Sequence, residues 1–257
     1  MRKLWVICLS LLLSMSIIGN CYADSVMIDP GHGGNDSGAI SYDNALLEKD
    51  LNLDTSKAII DELNKYGITT YTTRTKDEYV SLRKRSEMAN AIEDLDLFVS
   101  VHHNACTNPT VNRSEVIYSV KEQESQKLAE CIASKLKDMN NVEVIIYNRY
   151  NAKGSDYYSV LRHTKATSVI VEISFLTSKE GVELVDTHEE REKNGILVAQ
   201  GIMDYLDIDY TNNKPVDKQV SEIKKAKTKT GIDLISDIIN KKNKKTTSKW
   251  LDLLRRM

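Results

Sequence analysis

Ser25-Val26-Met27-Ile28-Asp29-Pro30-Gly31-His32-Gly33-Gly34 is the stretch from which the rest of the chain is read. Residues 25–29 form a short apolar run ending in a carboxylate, the pattern of a buried strand. Proline and glycines follow, and glycine lets the backbone turn sharply there. From Glu48 a helix is predicted, with Leu51, Thr55, Ala58, Ile59, Leu63 and Tyr66 on its buried face and Gly67 as its stop. Ile68 to Thr73 alternates as a strand, and Ser81 to Glu93 reads as a helix. Leu95 to Val101 is a continuous apolar strand running out into His102-His103-Asn104. Val116 to Val120 and Ser168 to Ile173 are further strands. Glu122 to Asp138, with Leu128, Ile132 and Leu136 on one side, and Asn194 to Tyr205 are further helices. This alternation predicts an α/β fold, one domain with a mainly parallel central sheet and helices on both faces.

Composition supports an ordinary globular domain. The 257 residues are 41% hydrophobic and 28% charged, which excludes collagen-like, disulfide-framework and wholly disordered chains. The formal net charge of -2 conceals a split. Residues 211–257 carry 13 Lys/Arg against 5 Asp/Glu, whereas residues 24–210 carry 20 against 32. So acidic a body speaks against a nucleic-acid partner.

The ends of the chain read differently. Arg2 and Lys3 precede an apolar stretch from Leu4 to Gly19 broken only by serines, and Cys21-Tyr22-Ala23 fits a cleavage site after Ala23. Residues 1–23 are therefore expected to be a signal peptide, with export to the periplasm or cell envelope; an uncleaved anchor is the alternative. Cys106 and Cys131 would remain in the mature chain, and the sequence leaves open whether they pair. A domain is expected over residues 24–209, followed by a basic segment over 210–257. In that segment 211–230 reads as a polar linker. Ile232, Ile235, Ile238 and Ile239 mark one short amphipathic helix, and Trp250, Leu251, Leu254 and Met257 a second. Such helices suit an anionic membrane or wall surface; docking on the acidic body and plain disorder are the alternatives.

His32, Glu48 and His102 stand where strands end or a helix begins, the rim at which open α/β sheets bind ligands. Two imidazoles and a carboxylate are a ligand set for catalytic zinc, which polarises a carbonyl and lowers the pKa of its water to roughly 7. A zinc hydrolase also needs an acid/base, and Glu172 is a lone carboxylate inside an apolar strand. Spacing alone leaves blander readings in place, a capping histidine or a carboxylate at a helix N-terminus.

Five blocks, in order, change that balance. They are residues 27–34, 47–53, 73–77 with Leu82, Arg85, Ala89 and Asn90, then 96–105 and 168–176. Together they resemble the zinc-dependent N-acetylmuramoyl-L-alanine amidases of the Amidase_3 type, over roughly residues 25 to 207. The resemblance implies a Zn2+ cofactor on His32, Glu48 and His102, Glu172 as catalytic acid/base, and peptidoglycan as substrate. It implies cleavage of the amide between N-acetylmuramic acid and L-alanine, in wall remodelling, daughter-cell separation or turnover. A zinc peptidase cutting within the stem peptide and a non-catalytic wall-binding module are the alternatives. Asn104 is expected to line the substrate groove, and His103, where the family usually has a small residue, reads as a loop residue. Thr167, Ser174 and Thr177-Ser178 replace the family's usual Pro, Gly and Ser-Asn, changing turn chemistry but none of the four chemical residues. The short stretch between Asn104 and Glu122 leaves no room for the autoinhibitory helical insertion of some members.

Overall fold

A computed structural model describes residues 24–140 and 142–212. The signal peptide expected over 1–23 and the amphipathic helices expected near 232–257 lie outside the described residues.

Six strands form one sheet: β1 (Ser25–Pro30), β2 (Thr69–Thr72), β3 (Leu97–Asn104), β4 (Arg113–Tyr118), β5 (Glu143–Tyr147) and β6 (Thr167–Phe175), in the order β2-β1-β3-β6-β4-β5. Only the β4–β6 pair is antiparallel. The helices are α1 (Glu48–Lys65), α2 (Leu82–Asn90), α3 (Gln123–Asn140), α4 (Ser159–His163), α5 (Lys179–Glu183) and α6 (His188–Tyr205). The expected mainly parallel α/β architecture is the one observed.

The two-residue period of the strands sorts their side chains onto two faces. Val26, Ile28, Val99, Val101, Val169 and Val171 pack beneath α1, α3 and α6 in the larger core. Met27, Phe98, Ile117 and Ile170 point the other way, into a smaller core closed by α2 and α4. On the larger face α6 lies between α1 and α3, and a Cβ at Gly201 would meet the Ile132 backbone at 2.5 Å, so only glycine allows that helix approach.

Several sequence boundaries shift. β3 runs on through His102 to Asn104, so His102 lies in the strand rather than past it, and a register irregularity falls between His102 and Asn104. β4 begins at Arg113 rather than Val116. α6 starts at His188, six residues before the expected Asn194. Its first turn is polar and carries no apolar signal, but Thr187 caps it reciprocally with Glu190. β5, α4 and α5 have no counterpart in the sequence reading; each is five residues long, too short for a clear period. Past Asp209, Tyr210 still packs on the core, its ring 6.3 Å from that of Tyr66. Cys106 and Cys131 are both free thiols.

One buried network fixes the β1 loop. The Asp29 carboxylate, at the end of β1, accepts hydrogen bonds from Arg85 Nη1 (2.6 Å), Ser100 Oγ (2.7 Å) and Thr73 Oγ1. The same guanidinium donates to the carbonyls of Pro30 (2.6 Å) and His32 (2.7 Å). Both charged groups are buried, so removing one leaves the other uncompensated. Arg85→Ala is therefore expected to lower unfolding stability by about 3–5 kcal/mol, measured by denaturant titration. Arg85→Lys should recover little, because an ammonium cannot reproduce the planar fork.

Candidate active site

β1 and β3 are neighbours, and the chain leaves them toward opposite edges of the sheet. A crevice opens at such a switch point, outside the carboxyl ends of the strands. His32 enters it from the loop after β1, where its φ of 59° holds it in the left-handed region. His102 enters from β3, and Glu48 from the first residue of α1.

The three groups converge. Glu48 Oε1 lies 2.8 Å from His102 Nδ1 and 3.1 Å from His32 Nε2. One ligand atom from each residue falls within 4.8 Å of the others, and the imidazoles meet nearly edge to face at 81°. The Glu48 carboxylate is buried and held from behind. Its Oε2 accepts the Ala39 N–H (2.7 Å), and its Oε1 accepts from the His103 N–H (3.2 Å) and Asn52 Nδ2 (3.3 Å). On the outer side, His32 Nδ1 sits 2.9 Å from Asp36 Oδ1, close but not aligned as a hydrogen bond.

Burial alone would raise the Glu48 pKa, but hydrogen bonds and charge from His102 and His32 hold it well below the usual carboxylate range. Burial pulls His32 down, yet Glu48 and Asp36 outweigh it and lift the imidazole to about 9. His102 is likewise raised by Glu48 against the effect of burial. This donor set of two nitrogens and a fixed carboxylate suits a divalent borderline metal. The backing of Glu48 by Asn52 and the contact of His32 with Asp36 are the outer-shell support such sites use.

Glu172 is the residue of β6 directly opposite His102 in the β3–β6 register. Burial pushes its carboxyl up to about 7; the His102 charge opposes this, and the Glu48 and Glu115 charges add to it. Its Oε2 is buried with no hydrogen-bond partner. A carboxyl in that state is suited to exchanging a proton with a guest in the crevice.

The two remaining sequence candidates fare differently. His103 is no loop residue. It is a buried strand residue on the opposite sheet face from His102, its Nδ1 2.8 Å from Asn52 Oδ1, and burial pushes its pKa down to about 3. Asn104 stands at the rim with its Nδ2 donated to Glu115 (3.0 Å). Sequence reasoning missed Asn52, Asp36, Arg113 and Glu115. Glu115 carried the same signal as Glu172, a carboxylate inside a strand, but the strand was read as starting at Val116 rather than Arg113, which left Glu115 outside it.

Glycines set how closely the walls approach. A Cβ on Gly31 would overlap the His102 imidazole, and one on Gly38, whose φ is +64°, would overlap Glu48 Oε2. Gly31→Ala is expected to keep the fold but weaken metal binding by about 10–100-fold, the usual cost of a misplaced ligand. Competition against a chromogenic chelator measures it.

The profile of the N-acetylmuramoyl-L-alanine amidase family (Amidase_3) matches residues 26–204, from β1 to the end of α6. The chain belongs to this family. It is similar to the N-acetylmuramoyl-L-alanine amidase LytC of Bacillus subtilis, 33% identical over 184 residues, which cover 71% of this chain and 35% of LytC. Among solved structures, it matches an N-acetylmuramoyl-L-alanine amidase from Clostridium difficile 630 at 32% identity with a TM-score of 0.65, covering 74% of this chain and 99% of that one. It also matches AmiC2 of Nostoc punctiforme at 31% identity and a TM-score of 0.64, covering 72% and 97%. The chain thus spans about a third of LytC but nearly all of those two amidase structures. Among the described residues no helix is long and apolar enough to cross a membrane.

Proposed function

We propose that this family member is a peptidoglycan hydrolase that cleaves the amide between N-acetylmuramic acid and L-alanine of the stem peptide. The observation that carries the reading is the convergence of His32, Glu48 and His102 beside Glu172, within the stretch that matches the family. The three converging residues hold Zn2+, which when bound polarises the scissile carbonyl and acidifies water. Glu48 balances the cation and, through its three backing donors, keeps one oxygen aimed between the imidazoles. Glu172 takes the proton from the attacking water and hands it to the departing alanine amine. The buried, partner-free Oε2 supports this role, because no neighbouring donor competes for that oxygen. Asn104 borders the substrate path at the rim of β3.

We further propose the layout that accompanies this chemistry. Residues 1–23 direct export to the periplasm or cell envelope, 24–209 form the catalytic domain, and 210–257 attach to an anionic membrane or wall surface. Digestion of purified peptidoglycan with the zinc-loaded chain tests the activity. Mass spectrometry should find intact stem peptides and glycan with free muramic carboxyl groups. Shortened peptides would instead identify a peptidase, and no release at all a wall-binding module. Truncation after Asp209 should abolish sedimentation with sacculi or anionic vesicles while soluble muropeptides are still cleaved.

A further inference from the structure

Beyond Glu172, the same face of the sheet carries a second buried carboxylate that the proposed reaction does not use. β4 runs antiparallel to β6, so its N-terminal residues come to the rim where β1, β3 and β6 end. The register sets Glu115 opposite Glu172 and Glu172 opposite His102, so the three form a row across β4, β6 and β3. Glu115 accepts from Arg113 Nε (2.8 Å), Asn104 Nδ2 (3.0 Å) and the Tyr147 hydroxyl (3.1 Å).

Arg113 is held on two sides. Its Nη2 also reaches Glu115 Oε1 at 2.7 Å, and its guanidinium carbon lies 5.3 Å from the centroid of the Phe175 ring. Its side chain is still 33% exposed, and Nη1 makes no hydrogen bond to another described residue. Asn104 and Tyr147 help satisfy Glu115, which leaves the outer edge of the guanidinium for a second acceptor. A rigid fork with a free edge is suited to a carboxylate.

We propose that Arg113, anchored by Glu115, is a specificity residue that binds a carboxylate of the stem peptide one residue beyond the scissile amide. The inference rests on the amidase reading above, which puts the departing alanine amine at Glu172. Neighbouring strands are about 4.8 Å apart and an extended residue spans about 3.5 Å. The residue after that alanine therefore comes over β4 near Glu115, the register partner of Glu172, onto which the Arg113 guanidinium folds. It is glutamyl in peptidoglycan stems, carrying either a free α-carboxylate or a carboxamide. The wall it meets there carries the carboxylates Glu115 and Glu172, so the exposed guanidinium is what admits an anion.

The test compares two soluble muropeptides that differ only in carboxylate or carboxamide at that residue, using the zinc-loaded full chain. The wild type should show a KM about tenfold lower for the carboxylate, with kcat little different. In Arg113→Met that ratio should collapse to about one, and Arg113→Lys should restore part of it. Zinc content and circular dichroism check that the variants are folded, and the wild-type comparison needs no variant. Equal KM values in the wild type, or a ratio that persists in Arg113→Met, would overturn the proposal alone. Cleavage inside the peptide, or none of either substrate, would take it down together with the amidase reading.

Discussion

Glu172→Gln is expected to lower kcat by about 10³-fold while the protein still binds one zinc and unfolds as the wild type does. The substitution keeps the shape of a side chain that sits opposite His102 and Glu115 in adjoining registers, and removes only its capacity to exchange a proton. Because Glu172 Oε2 has no partner in the fold, the amide breaks no existing hydrogen bond at that atom. The loss should therefore appear in turnover rather than in stability or metal content. A pH profile separates the role further. A base must be ionised to act, so wild-type activity should fall as pH drops through the Glu172 pKa. Burial sets that pKa at about 7 in the metal-free protein, and a dication beside it favours the carboxylate and moves the limb to lower pH. The residual activity of Glu172→Gln should lack this acid limb. Equal kcat in the variant and the wild type would remove Glu172 from the chemistry.

How much of this was legible in the sequence follows from where each signal resides. β1, β3 and β6 are buried on both faces, so their apolar runs stand out, and His32, His102 and Glu172 are conspicuous against them. Glu48 was found because helix α1 has a clear apolar stripe that dates its first turn. Arg113 and Glu115 were not found because β4 begins with polar residues that break the apolar strand signal, and part of what satisfies them is distant in sequence: Ser114 Oγ donates to the Ile173 carbonyl and the Tyr147 hydroxyl to Glu115. His103 was misread for a related reason. Its neighbour His102 faces the crevice, and alternation along a strand sends the next side chain to the opposite face, where Asn52 of α1 receives it. The sequence presents the pair as a polar loop, whereas the sheet separates them into a site residue and a buried support.

Removing zinc should abolish turnover and its return should restore it, and the proton balance of that step is expected to identify the ligands. In the metal-free protein His32 is lifted to about 9 and His102 is also raised, chiefly by Glu48 against burial. Both imidazoles must lose their protons to bind a metal. Zinc titrated into the metal-free protein at pH 7 should thus release at least one proton per site, measured by calorimetry in buffers of different ionisation heat. The same shift gives opposite slopes for two stabilities. A group with a raised folded pKa stabilises the fold fully below its unfolded value, here 6.5 for His32, and that contribution is lost as pH rises through about 9. The metal-free protein should therefore weaken across this window, while zinc affinity strengthens across it. Glu48→Ala removes a ligand and the largest cause of both raised imidazoles together, leaving His32 only the contribution of Asp36. It should lower zinc affinity by at least about 100-fold, flatten the loss of metal-free stability between those pH values, and reduce proton release on any zinc that still binds. A variant that kept full affinity with the wild-type proton count would place the metal elsewhere.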